Sequence, residues 1–563
     1  MACLMAIVLM AAGAGDAAWP PDGALEWAWE YRGDALPWEA VPHWAGSPSG
    51  DTEAAVTPEG LRIEDRSSER GSLCTFRRAW RVDPAQGGVV EARIKVVAND
   101  SSSGAGIMLA DGEHEAYLTL FPDRLEVNHG EVVQPFTTTD GFHVYRLAAR
   151  QKDFLVWVDG ALVIDGTGKF TDPAHANRSY AAFGSCSSAA KSDAVYAYVR
   201  YVPLGELPLP ERLAGAEDVL VYKKPGVYAC FPSLYRLDDG TLVASYGTRT
   251  RRSHIDSTGG SAASQSHDGG RTWEPVEGPR PMNPARRCKD GSLVAADGHG
   301  WRNVPAERRK EFEDQDITVR DVREGVVAYL QGAYCSRSED GGQTWQKEEL
   351  QLPAHRSLMT YNRVDAASLS EGLRLVSVYG QLKEDEHTRS FLLRSADDGK
   401  TWWFLPLAAD PAGKLDLNET ALAENARGEI VAMVRTHPPD GGYLFTTIST
   451  DRGITWAPAR QTEIWGYPAH LLRLQDGRML CSYGYRRDPM GVRAVISPDG
   501  GRTWNVAEEI ILRCDGAGSG SDLGYPISIE IEPGRVFTIY YMTTDDGITH
   551  IAGTIWDIPA PAK

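Results

Sequence analysis

The order of hydrophobic and polar positions along this chain is that of a β protein. Between residues 19 and 203, short apolar runs alternate with polar positions and stop at turns, as in GVVEARIKVV at 88–97 and again at 107–109, 116–120 and 145–149. A period of two predicts strands with one buried face, and no stretch here has the helical period over ten residues. Residues 153–166, DFLVWVDGALVIDG, hold two alternating runs joined by Asp159-Gly160, which predicts a tight hairpin. Such closely spaced strands predict a β-sandwich over 19–203. Residues 201–210, YVPLGELPLP, are proline-rich and follow neither period. The domain boundary is therefore expected there, with a linker at 204–214 and a second domain over 215–563.

The second domain repeats. Residues 264–273 (SQSHDGGRTW), 336–345 (SRSEDGGQTW), 393–402 (LRSADDGKTW), 447–456 (TISTDRGITW) and 495–504 (VISPDGGRTW) share the form Ser-x-Asp-x-Gly-x-Thr-Trp. Their spacing matches one four-stranded sheet per repeat. In each box the aspartate can accept bonds from the turn, the glycine can take positive φ, and the tryptophan can pack between neighbouring sheets. Between boxes lie strand pairs with polar turns, at 233–247, 470–484 and 528–541, which would be inner strands. A last strand at 550–558 brings Trp556 without a full box. Counted with the five boxes it makes six blades, so an all-β, six-bladed propeller is expected after the sandwich. Functional residues would then sit in the inner-strand loops around the axis, and the box aspartates on the outer rim would be structural.

Composition narrows the function. The 57 glycines and 33 prolines fit many turns. Acidic residues exceed basic ones by 77 to 58, a net charge of −19 that repels a phosphate backbone and excludes nucleic acid as a partner. Residues 1–14, MACLMAIVLMAAGA, are too short to span a bilayer and run into small residues up to Ala18. They predict a signal peptide over 1–18, although no Lys or Arg precedes the apolar run, and hence a secreted or periplasmic protein with no later membrane span. After Cys3, the cysteines at 74, 186, 230, 288, 335, 481 and 514 form no CxxC or other metal spacing, so neither metal nor cofactor is expected. They are read mainly as small buried hydrophobes.

Two family resemblances sharpen the picture. In pattern alone, residues 19–203 resemble the concanavalin-like jelly-roll modules appended to secreted carbohydrate-active proteins. The boxes, the blade count and the inner strands resemble the sialidase (neuraminidase) superfamily over about residues 215–558. That family attacks an anomeric carbon bearing a carboxylate and uses a tyrosine nucleophile. A carboxylate nucleophile would meet an anion, whereas a neutral phenol can approach and lose its proton to a glutamate as it attacks. The resemblance implies a Tyr–Glu pair, a separate general acid and an arginine cluster for the substrate carboxylate.

Residue by residue, Tyr525 in SDLGYPISIEI matches the nucleophile motif, with Pro526 in place of the usual serine. Glu419 and Arg435, in DLNETALAENARGEIVAMVR, match the family's glutamate and arginine of one blade. Arg249 and Asp256, in YGTRTRRSHIDSTGG with Arg251 and Arg252, match the arginine closing the second inner strand and the loop acid. In YGYRRDPMGVRAVIS, Arg486 is the first choice for the last clamp position, with Arg493 second. One departure stands out: the first inner strand reads Ala229-Cys230-Phe231-Pro232, so Cys230 replaces a clamp arginine. A hydrogen bond to a charged group contributes about 1.5–3 kcal/mol, so its loss costs about 10- to 100-fold in affinity. The expected protein is an exo-α-sialidase-like retaining glycosidase acting on glycoconjugates. A glycosidase or lyase for another acidic sugar, or a non-catalytic glycan-binding propeller, stay open as alternatives.

Overall fold

The computed structural model describes residues 19, 25–41, 43–46, 48–67, 73–175, 178–185, 191–249, 259–298, 301–315, 317–323, 325–330, 332–361, 364–437, 442–516 and 522–560. The expected signal peptide over 1–18, Cys186, Arg251, Arg252 and Asp256 lie outside the described residues. The chain forms two compact units, one running to Leu209 and taking in Asp545–Gly547, the other holding Pro210–Thr544 and the residues from Ile548 onward.

The first unit is a two-sheet antiparallel sandwich. One sheet runs Ala161–Gly166, Asp153–Val158, His143–Arg150, Gly88–Asn99, Lys191–Pro203, Gly60–Arg66, Thr52–Thr57, and Trp29–Tyr31 pairs with the long Lys191–Pro203 strand. The other runs Cys74–Ala79, Ser179–Ser185, Ala105–Asp111, Glu115–Leu120, Arg124–Val127, Val132–Pro135. Alternate residues of the two, including Val90, Ile94 and Leu147 from one and Phe76, Ile107 and Phe183 from the other, share one core. The hairpin expected at Asp159-Gly160 is present: both residues have positive φ, 50° and 83°, as a two-residue turn matching the strand twist requires.

The second unit is a six-bladed propeller. Four blades are consecutive antiparallel meanders. The first comprises Tyr228–Arg236, Leu242–Arg249, Gly259–Ser266 and Glu274–Pro275, and the third His355–Tyr361, Arg374–Leu382, Arg389–Ser395 and Trp403–Ala408. The fourth comprises Thr420–Glu424, Ile430–Val434, Tyr443–Ser449 and Arg460–Trp465, and the fifth Ala469–Arg473, Met479–Tyr485, Met490–Ser497 and Ile510–Gly516. The sixth joins Gly524–Glu532, Arg535–Thr543 and Thr549–Asp557 to Glu217–Tyr222 from the start of the domain, which pairs with the last strand and closes the ring. Among the described residues blade two has three strands, Leu293–Gly298, Ala333–Ser338 and Gln346–Glu349. Between its first two it carries a small sheet of Trp301–Pro305, Val319–Arg323 and Val326–Leu330 with a short helix, Arg309–Glu313. Apolar clusters bridge blades two and three, three and four, four and five, five and six, and six and one.

The boxes build the outer turns as their residue types dictate. Asp268 accepts from Ser266 Oγ (2.8 Å), Thr272 N (2.9 Å) and Thr272 Oγ1 (2.6 Å), while Gly270 N donates back to Ser266 Oγ (2.9 Å). The other four boxes repeat this pattern around Asp340, Asp397, Asp451 and Asp499. Gly270 takes φ 94°, where a side chain would be strained. Trp273 leaves its own blade and stacks, tilted, on Phe537 of blade six at 5.5 Å. The threonine hydroxyls, first among several donors, hold Asp340 and Asp451 down at about 2.

Candidate active site

The starts of the first strands and the ends of the second strands of several blades gather one group of polar side chains. Tyr525 is the second residue of Gly524–Glu532 in blade six, and Cys230 the third of Tyr228–Arg236 in blade one. Glu419 precedes Thr420–Glu424 in blade four and Arg435 follows Ile430–Val434, and Arg435 N donates to the Glu419 carbonyl (3.0 Å), so the ladder fixes the two together. Arg249 ends Leu242–Arg249, and Arg486 follows Met479–Tyr485. Gly524 makes the approach of blades five and six possible, because a Cβ there would lie 2.7 Å from the Gly484 Cα.

Tyr525, Glu419 and Arg435 are in direct contact. The Tyr525 hydroxyl donates to Glu419 Oε1 at 2.6 Å, and Arg435 Nη1 donates both to Glu419 Oε2 and, at 3.2 Å, to Tyr525 Oη. Glu419 and Arg435 are buried, at 9% and 7% exposure. Burial, and then the Glu419 charge, push the Tyr525 phenol well above its ordinary value, with Arg435 opposing. The tyrosine is thus a neutral donor at rest, with its proton already directed at a carboxylate oxygen. Its backbone has φ 48°, and Phe231, packed edge-on against its ring at 4.7 Å, has φ 52°. Two non-glycine residues held in the left-handed region on facing strands are strain of the kind found at functional sites.

Arg486 belongs to the same group. Its guanidinium lies over Tyr467 (5.0 Å) and near the Tyr525 ring (5.9 Å), its Nε donates to the Leu523 carbonyl (3.0 Å), and Nη2 stands 3.8 Å from Asp522 Oδ1. Arg435 lies over the same Tyr467 ring at 4.6 Å. Arg249 Nε, Arg435 Nε and Arg486 Nη2 are buried with no acceptor among the described residues, a surplus of donors suited to an anionic ligand. Cys230 is fully buried beside Arg249, and burial pushes its thiol up to about 11, against the arginine's pull. The cysteines at 74, 230, 288, 335, 481 and 514 are all buried.

Arg493, the second choice for the last clamp position, is not in this group. It sits in the third strand of blade five, where its Nη1 bonds Glu509 and its guanidinium covers Tyr485 at 3.2 Å. A side chain on that strand meets the outer strand, so Glu509 takes its charge. Asp256, proposed as general acid, cannot be placed because it falls outside the described residues. Sequence reasoning passed over Tyr361 and Tyr541, which pack on Tyr525, Tyr467, which lies under Arg435 and Arg486, and Asp522 with its partner Tyr228. Asp522 accepts from the hydroxyls of Tyr228 and Tyr541, the latter at 2.5 Å. A lone aspartate three residues before the tyrosine carries no spacing signal; only the fold brings Tyr228 from blade one to it.

Residues 322–538 match the family model described as BNR repeat-like domain. The match lies within the propeller, from the insertion in blade two to the second strand of blade six. None of the curated proteins matches it. Among solved structures it is similar to a protein of unknown function from Dyadobacter fermentans DSM 18053, at 30% identity over 62% of this chain and 100% of that one, TM-score 0.49. It is also similar to the NanB sialidase from Streptococcus pneumoniae, at 13% identity over 86% and 98%, TM-score 0.39. A third similarity is to an α-L-arabinofuranosidase of Fusarium graminearum, at 14% identity over 60% and 97%, TM-score 0.40.

Proposed function

We propose that this protein is an exported retaining exo-glycosidase that removes a terminal acidic sugar from glycans, sialic acid being the sugar implied by its resemblance to sialidases. One observation carries the reading: the Tyr525 hydroxyl donating to Glu419 at 2.6 Å with Arg435 on both. Two of the solved structures it is similar to, a sialidase and an arabinofuranosidase, agree with a glycosidase. In the first step Tyr525 Oη bonds the anomeric carbon as its proton passes to Glu419, and the glycosidic C–O bond breaks. The leaving oxygen takes a proton from a separate acid, for which Asp256 is the candidate. In the second step water attacks the anomeric carbon while giving a proton to the acid, now anionic, and the phenolate leaves and regains its proton from Glu419. Two inversions give net retention. Arg435, held charged by Glu419 and Tyr525 against its own burial, passes from the glutamate toward the substrate anion as Glu419 becomes neutral. Arg486 and Arg249 complete the clamp.

Cys230, standing where the resemblance implies a clamp arginine, favours a second reading, in which the acidic sugar is not sialic acid. The test is an aryl sialoside assay beside a panel of other acidic aryl glycosides, on wild type and Tyr525→Phe. Turnover lost in the variant supports the reading, and no turnover of any acidic glycoside by wild type contradicts it.

A further inference from the structure

Where Glu419 enters the first strand of blade four, the backbone has a ladder on one side only. Toward the second strand, Asn418 N donates to the Arg435 carbonyl (3.0 Å) and Arg435 N to the Glu419 carbonyl (3.0 Å). On the other side stand the carbonyls of Asn418 and Thr420 and the amide of Glu419, buried polar groups that must be paired. Side chains take the place of a strand there. The hydroxyls of Ser390 (2.7 Å) and Thr420 (2.9 Å) both reach the Asn418 carbonyl and stand 2.6 Å from each other, so their two protons serve this carbonyl and the bond between them. Ser377 Oγ bridges the carbonyls of Thr420 (2.8 Å) and Tyr361 (2.5 Å), and Glu419 N donates to Asn418 Oδ1 (2.9 Å). Ser377 and Ser390 lie on the second and third strands of blade three, so a neighbouring blade holds this edge.

The Asn418–Glu419 peptide plane sets the direction in which the Glu419 side chain leaves the backbone. We propose that Ser390, Ser377 and Thr420 are positioning residues: they lock this peptide so that the Glu419 carboxylate meets the Tyr525 hydroxyl. At 0–1% exposure none of the three can touch a ligand, so their effect passes through Glu419. Glu419 must meet Tyr525 of blade six with one oxygen and Arg435 with the other, which leaves little room for the peptide to turn. The inference rests on the reading of Glu419 as the base that takes the Tyr525 proton, and it adds blade three to the blades that build the site.

The test is the kinetics of Ser390→Ala and Thr420→Val on the aryl glycoside that wild type turns over, with urea midpoints measured alongside. A misplaced catalytic group costs up to about 100-fold, so Ser390→Ala lowers kcat by about 10- to 100-fold. KM stays within about twofold, because the substrate contacts assigned to Arg249 and Arg486 belong to other blades. Thr420→Val removes one hydroxyl at nearly constant shape and acts in the same direction, whereas Thr420→Ser, which keeps the hydroxyl, stays within about threefold of wild type. This pair carries the test if Ser390→Ala does not fold. In a Glu419→Gln background the serine substitution changes kcat by less than about twofold, since the group it positions is gone. A seam that only joins the blades gives a lower urea midpoint with kcat near that of wild type, or the same fold loss in both backgrounds, and either result overturns the inference. Turnover that survives Glu419→Gln contradicts the catalytic reading itself and takes the inference with it, an outcome seen without the seam variants.

Discussion

Replacing Glu419 with glutamine tests the buried triad without changing its shape. The amide keeps an oxygen to accept from Tyr525 but removes the charge that balances Arg435, in a place where both residues are less than a tenth exposed. Breaking a buried pair by removing one partner costs about 3–5 kcal/mol. Part is retained, because Tyr525 Oη remains an acceptor for Arg435, so a loss of about 2–4 kcal/mol is expected. Removing the base lowers kcat by about 10²- to 10⁴-fold. Without the neighbouring anion, the Tyr525 phenol moves down from its raised position, visible as phenolate absorbance at a lower pH than in wild type. Urea denaturation of wild type, Glu419→Gln, Arg435→Met and the double variant measures the stability terms, and aryl glycoside kinetics the rate. The double-mutant cycle should give a coupling of about 2 kcal/mol. A Glu419→Gln protein with unchanged denaturation midpoint and kcat within about threefold of wild type would refute both the pairing and the role of base.

Other outcomes follow from the same geometry. The box carboxylates of Asp340 and Asp451 are held at about 2, below the ~3.9 of an unfolded aspartate. Their stabilisation is full above pH ~4 and is lost as the pH falls toward 2; denaturation midpoints measured across this range should drop, less steeply in Asp451→Asn. Arg493→Met breaks the contacts with Glu509 and Tyr485 yet should leave KM for an acidic glycoside within about twofold, since this arginine is not among the groups around Tyr525. A large rise in KM would return Arg493 to the clamp.

The parts of the fold that repeat, or that are decided by neighbours in sequence, were legible before the structure. The boxes gave the blade count because each turn is satisfied within its own ten residues, and Asp159-Gly160 gave a hairpin for the same local reason. What required the third dimension was long-range. Glu217–Tyr222 reads as an ordinary strand, and only its pairing with Thr549–Asp557 shows that it closes the ring. The inserted sheet of blade two has no box to announce it. At the site, Tyr525 and Glu419 were found through motif resemblance and meet across 106 residues. Arg493 misled because an arginine's position in sequence does not say which sheet face it occupies or that Glu509 awaits it. Asp522 was missed because its partners, Tyr228 and Tyr541, come from strands in two different blades.

The central claim is that Tyr525 attacks the anomeric carbon. A fluorinated, activated glycoside of the acidic sugar that the protein turns over slows the second step and lets the intermediate accumulate. Intact mass and peptide mapping should then show one glycosyl adduct on the peptide carrying Tyr525, absent from Tyr525→Phe, with turnover reduced about 10³-fold or more in that variant. An adduct on Glu419 or on any other residue, or near-normal turnover by Tyr525→Phe, would contradict it.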